Sequence, residues 1–208
     1  MRKGPLLFAI IITLLSHHRS FSQTPDTLQH PWTFSASASG YFIPADFFVL
    51  PVVTADHRRM HLEARYNYED RNTVSLFGGY KFEGGNQFTY SFIPMVGGVT
   101  GRSDGIAPAL EMELDYRKFS FYSESEYLFE FSAQENHFFY VWSEIGYSPL
   151  RNFTCGMSIQ KTKSYHSDFN VQRGLFLSYQ AKFLEWKGYV FNPFSGDSFA
   201  ILTMSVEF

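Results

Sequence analysis

The sequence predicts an all-β chain, an antiparallel transmembrane β-barrel of about twelve strands. Three observations predict it. Apolar and polar residues alternate through segment after segment, the period of a strand with one apolar face. Beyond Leu15 the longest apolar run is Phe47 to Val53, too short for a membrane helix. A closed barrel is the other structure able to satisfy its backbone inside lipid. Finally, residues 198–208 place Ala200, Leu202, Met204, Val206 and Phe208 on one face, and that face finishes on an aromatic ring. Such a ring suits the lipid–water boundary.

The elements follow in order. Arg2 and Lys3 precede a short apolar run, Leu6 to Leu15, and then a polar stretch with Ser20 and Ser22. This reads as a secretory signal peptide over 1–22, cut before Gln23, with the barrel domain over 23–208. Trp32 to Ile43 alternates and forms the first strand. Phe47 to Thr54 is its partner, demoted by Pro51, which cannot donate to a ladder. Met60 to Tyr68 and Thr73 to Phe82 alternate without a break. Strands follow from Phe88, from Ile106 to Tyr116, from Phe119 to Phe131 and from His137 to Tyr147. Phe153 to Lys163, Val171 to Phe183, Trp186 to Phe194 and Ser198 to Phe208 complete the set. The alternative is ten strands, with residues 32–58 forming a plug.

Turn signals separate these segments: Glu69 to Asn72, Glu83 to Asn86, Arg117-Lys118, Ser148 to Asn152 and Phe194 to Asp197. With Phe208 at the periplasmic end, strand parity puts Glu83 to Asn86, Arg117-Lys118, Ser148 to Asn152 and Leu184-Glu185 in the periplasm. Glu69 to Asn72, the Gly-rich 97–105 connection, Ser132 to Asn136, Ser164 to Asp168 and Phe194 to Asp197 then lie outside.

A soluble two-sheet sandwich also alternates. In a barrel the apolar face meets lipid and the opposite face lines the interior. The girdle pattern favours the barrel: Phe119, Phe121, Tyr127, Phe129 and Phe131 flank Ser123 and Ser125 on one face. Tyr66, Tyr68, Tyr80, Phe82, Phe88, Tyr90, Tyr116 and Tyr147 are expected on the same outer surface.

The opposite faces carry the chemistry. Glu111, Glu113 and Asp115 share one face of one strand, and Tyr122, Glu124 and Glu126 share that face of the next. Five carboxylates on neighbouring strands repel one another and require water or cations. Arg65 and Lys81 are the candidate lumen cations, with Arg117 and Lys182 nearby. Glu63, Arg65 and Asn67, and Thr154, Gly156, Ser158, Gln160 and Thr162, extend the polar surface.

Composition excludes several classes. Without Arg2, Lys3 and Arg19, fourteen basic residues face twenty acidic ones, a formal charge of −6. That balance disfavours nucleic acid as a partner. Cys155 is the single cysteine, and no base accompanies it in the sequence. His166-Ser167-Asp168 carries triad residue types, but neighbours on a loop point apart. No nucleophile elbow, zinc-helix motif or phosphate loop occurs, so the reading leans away from an enzyme, and no metal or cofactor is expected. Asp56-His57-Arg58-Arg59 reads as a solvated charged turn, and His61 as a lone structural histidine.

The alternating segment ending in Phe208 resembles the assembly signature of Gram-negative outer-membrane β-barrel proteins. Runs such as His61 to Asp70 and Tyr189 to Phe194 also look like pieces of small barrels of that class without assigned function. The resemblance implies an outer-membrane location, with lipid and the barrel assembly machinery as partners and Phe208 as the assembly signal. It implies no catalytic residues. Three functions follow as expectations: a small passive channel or transport-related barrel with an acidic interior, a closed structural or adhesive barrel, and, third, a lipid-modifying enzyme. The solute is not specified by any motif.

Overall fold

The computed structural model describes residues 31–44, 46–132, 134–161 and 171–208. The expected signal peptide over 1–22 and the His166-Ser167-Asp168 segment lie outside the described residues. Among the described residues, thirteen strands form one antiparallel sheet. They are β1 (Thr33–Ile43), β2 (Asp46–His57), β3 (Met60–Tyr66), β4 (Thr73–Tyr80), β5 (Phe82–Gly85), β6 (Phe88–Gly101) and β7 (Gly105–Tyr116), then β8 (Phe119–Glu130), β9 (Phe138–Leu150), β10 (Phe153–Lys161), β11 (Val171–Ala181), β12 (Leu184–Phe191) and β13 (Phe199–Glu207). Each pairs with its sequence neighbours, save that β4 and β5 both pair with β6. Gly79 opposes Met95 and Phe82 opposes Phe92, so the register against β6 runs unbroken across Lys81. The two segments are thus one strand interrupted at Lys81, and the barrel closes with twelve.

The seam joins β1 to β13, from Ser35 with Glu207 to Phe42 with Ala200. Phe208 extends it. Phe34 N–H donates to the Phe208 carbonyl and Phe208 N–H donates to the Phe34 carbonyl, both at 2.9 Å. Their rings stack at 6.1 Å. β1 and β2 therefore belong to the wall, which corrects the alternative of a plug over 32–58. Pro51 is tolerated because the β2–β3 ladder begins one residue later, with Val52 opposite Arg65.

The two rims differ. At the rim carrying Phe208 every connection is a two-residue turn: 58–59, 86–87, 117–118, 151–152 and 182–183. Arg58, Arg117 and Lys182 each take φ 57° there, the left-handed conformation that two-residue hairpins require. The Lys182-Phe183 turn corrects the expected Leu184-Glu185 turn and moves Glu185 onto β12. The opposite rim holds the longer connections. Even there, β6 continues to Gly101 and β7 starts at Gly105, which corrects the long 97–105 loop to three residues. Asp104 tightens it, accepting from Thr100 Oγ1 at 2.8 Å and from Gly101 N–H at 3.2 Å.

The exterior is an apolar belt. Leu76, Val96, Ile145, Met157, Leu175, Leu177 and Leu202 are exposed around the waist. Tyr80, Phe82, Phe88, Tyr116, Phe119, Tyr147, Tyr179 and Trp186 ring the tight-turn rim; Phe42, Phe47, Tyr66, Phe129, Phe131 and Phe139 ring the other. A continuous exposed apolar surface with two aromatic girdles is the exterior of a membrane-spanning barrel. The chain is a closed, antiparallel twelve-strand barrel with a membrane-facing exterior.

One girdle expectation is corrected. Tyr68 lies inside, because β3 ends at Tyr66 and Asn67 adopts φ 60°. The Asn67 side chain donates to the Val49 carbonyl at 2.9 Å and accepts from Asn72 N–H at 2.8 Å. That kink breaks the alternation and turns the next ring inward.

Candidate functional site: a half-open interior

The interior divides along the barrel axis. Toward the tight-turn rim lies a cavity of about 500 Å³. Its wall carries Glu63, Glu111, Glu113, Asp115, Glu124, Glu144 and Glu185, with Lys187 as its single Lys or Arg. Serines and threonines complete it: Ser37, Ser39, Thr54, Ser120, Thr154, Ser178, Thr203 and Ser205. Exposure falls with depth. Glu113 and Asp115 are exposed, Glu111 is half-buried, and Glu124 is buried. The cavity therefore opens at the tight-turn rim.

Toward the opposite rim the interior is filled. Phe77, Ile93, Met95, Val99, Ala107, Ala109, Leu128 and Phe138 pack along one wall. Trp142, Phe176, Tyr189, Phe191, Phe199 and Ile201 pack on the other, and Tyr140 touches both groups. The inner face is therefore apolar in this half. Alternation reveals which residues point inward but does not dictate that they be polar. Gly97 makes one contact feasible: a Cβ there would sit 2.5 Å from the Phe77 ring.

A charged knot separates the halves. Arg65, fully buried, pairs through Nε with Glu63 Oε1 and through Nη1 with Glu124 Oε1 and Glu126 Oε2, each at 3.0 Å for the last two. Its guanidinium lies 4.2 Å from the Tyr68 ring centroid and 4.4 Å from that of Phe77. Tyr68 Oη donates to Glu124 Oε2, and Tyr122 Oη donates to the same oxygen at 3.3 Å. A planar cation stacked between rings and shared by three carboxylates is how a buried charge becomes tolerable.

Of the sequence candidates, Glu111, Glu113, Asp115 and Glu124 thus stand on the cavity wall, while Glu126 is buried behind it against Arg65. Lys81, at the β4–β5 break, bonds Asp56 Oδ2 at 3.0 Å rather than the five carboxylates. Arg117 and Lys182 are not interior partners. Both are exposed turn residues, and Arg117 lies over the Tyr116 ring. Phe208 sits at the seam.

Two groups escaped the sequence reading. Glu144 accepts from Trp142 Nε1 at 2.7 Å, from Lys187 Nζ at 2.7 Å and from Tyr189 Oη at 2.6 Å. Lys187 and Tyr189 lie more than forty residues away in sequence, so only the curvature of the wall unites them. Asp56 was read as part of a solvated turn, but it faces inward and bonds His61 Nδ1 at 2.7 Å as well as Lys81. Outside the spanning strands, burial pushes the Glu69 carboxyl above its ordinary range.

No protein-family model matches the chain, and no curated protein matches it. Solved structures do. The chain is similar to the KdgM porin with a TM-score of 0.58 at 14% identity, covering 84% of this chain and 98% of that one. The KdgM porin in complex with disordered oligogalacturonate gives 0.59 at 13% identity, over 84% and 98%. The NanC porin gives 0.53 at 10% identity, over 83% and 98%. The shared property is the barrel fold.

Proposed function

We propose that this chain is a small outer-membrane channel whose wall favours cations over anions. One observation carries the reading: seven carboxylates stand on the cavity wall against one lysine. Fixed charges of one sign in a narrow, low-dielectric passage raise the local concentration of the opposite sign. The similarity to porins supports a transport role. One of them is described in complex with oligogalacturonate, a polyanion. A wall of the opposite charge preference points here to cationic or neutral solutes instead. The tight turns then face the periplasm and the longer connections face outward. Passage requires the Arg65 knot and the rings around it to move, so conductance is small and gated.

Planar-bilayer recording of the refolded protein tests this. Under a salt gradient the reversal potential should take the sign of cation preference. Replacing Glu111, Glu113 and Glu124 by Gln should shift it toward zero while the barrel still forms. A silent trace from correctly folded protein would reject the channel. It would favour the second reading, a closed structural barrel, for which the fully buried, triply paired Arg65 is the specific observation.

A further inference from the structure

His61 and Glu63 alternate inward on β3, and both are buried. Their facing atoms, Nε2 and Oε2, lie 3.3 Å apart. The other ring nitrogen, Nδ1, lies 2.7 Å from Asp56 Oδ1, and Asp56 is fixed in turn by Lys81. A neutral imidazole that donates Nδ1–H to Asp56 presents a lone pair at Nε2. That lone pair then faces a carboxylate oxygen, an acceptor facing an acceptor, and either a second ring proton donated to Glu63 or a metal ion between the two satisfies it. Glu111, on β7, brings a third oxygen, and the three ligand atoms all lie within 4.8 Å of one another. Glu111 has neither a hydrogen bond nor an ion pair among the described residues.

We propose that His61 Nε2, Glu63 Oε2 and Glu111 hold a divalent transition-metal ion of the zinc class, reached from the cavity. Tetrahedral ligands at ordinary Zn–N and Zn–O lengths are separated by about 3.3 Å, the spacing His61 and Glu63 already have. Glu111 completes the set by a small side-chain movement. The donor set, one imidazole and two carboxylates, leaves a fourth position for water or solute. A carboxylate holding the far nitrogen of a ligating histidine fixes its tautomer and direction, and Asp56 stands in that relation to His61. Charge agrees: the ion neutralises Glu63 and Glu111, while Lys81 answers Asp56 and leaves Arg65 to Glu124 and Glu126. Glu63 serves both neighbours, with Oε1 toward Arg65 and Oε2 toward the ion. The imidazole selects against magnesium and calcium, which prefer all-oxygen shells.

The test is direct titration of chelator-washed, refolded full-length barrel in detergent with Zn²⁺ and, for its spectrum, Co²⁺. One equivalent should bind, Co²⁺ should give a visible absorption band, and excess Mg²⁺ should not compete. His61→Ala and Glu111→Gln should each abolish saturable binding. Asp56→Asn should weaken it about 10–100-fold, with heat-modifiable gel mobility showing that each barrel has formed. Should the His61 variant fail to fold, Glu111→Gln carries the test, because Glu111 has no bond to lose. No equivalent bound by the folded wild type overturns the inference, as does binding that survives Glu111→Gln. Conduction is not at issue: a silent barrel that takes one Zn²⁺ supports the site, and a conducting barrel that takes none removes it.

Discussion

Near the tight-turn rim, Glu113 and Asp115 project into an open cavity, exposed and without an ion pair among the described residues. Deeper, at the boundary with the filled half, Glu124 and Glu126 are buried and share Arg65 between them. The same two strands, β7 and β8, supply all four. What changes along the axis is the company each carboxylate keeps. In the open half, water solvates the charges, and their repulsion is tolerable. In the filled half, water is displaced by Phe77, Leu128 and Phe138, so every charge needs a partner within reach. A single wall can thus be acidic for two different physical reasons, and mutation should separate them.

The largest contrast should come from Arg65→Ala. It leaves Glu63, Glu124 and Glu126 without their shared cation in the filled half. Removing one member of a buried pair costs about 3–5 kcal/mol, measurable as a lower denaturant midpoint for the barrel refolded in vesicles. In the channel reading, the same variant should conduct more than the wild type. A barrel of unchanged stability would show that the knot is solvated and that the two halves are alike.

Next comes Gly97→Ala. The added Cβ would meet the Phe77 ring at 2.5 Å, pushing it off Arg65. Overpacking of this kind costs about 1–3 kcal/mol. Gly98, one residue on, has nothing within 4 Å of such a Cβ, so Gly98→Ala in the same assay is the control. Equal effects at the two positions would refute the tight packing of the filled half.

Phe208→Asp should cost less in equilibrium stability and more in assembly. The lost ring pair with Phe34 is worth about 0.5–1.5 kcal/mol. A charge at the interface adds about 0–1 kcal/mol. The amount of folded protein in the outer membrane, read by heat-modifiable mobility, should fall. Normal levels would show that the backbone bonds of the seam suffice without the ring.

Smallest in stability is the double change Glu113→Gln with Asp115→Asn. Exposed substitutions of this sort stay within about 0.5 kcal/mol, yet they should reduce cation preference in the bilayer. A stability loss as large as that of Arg65→Ala would mean that the open half is not water-filled.

Much of this was readable from residues alone, for a local reason. A strand's period of two is encoded within a few positions, so the wall and the count of twelve are legible. The partners of Arg65 are not: Glu126 is 61 residues away, and only barrel closure fixes which faces meet. Tyr68 was misplaced because one left-handed residue, Asn67, shifts every later side chain to the other face. Asp56 was misread because a turn and a strand end look alike in sequence. His61 looked solitary because its partner Asp56 read as part of a turn.

The seam has a consequence for how the molecule comes into being. Ser39 meets Thr203 across 164 positions of chain, so the ring cannot close until both β1 and β13 are delivered. Before then the sheet has two open edges, each a row of unpaired donors and acceptors able to template pairing with another chain. Closing so long a span adds little equilibrium penalty, since loop entropy grows only logarithmically. The hazard is one of time: an apolar, edge-exposed sheet must reach lipid before it meets another copy of itself, and whatever shields those edges in transit determines the yield.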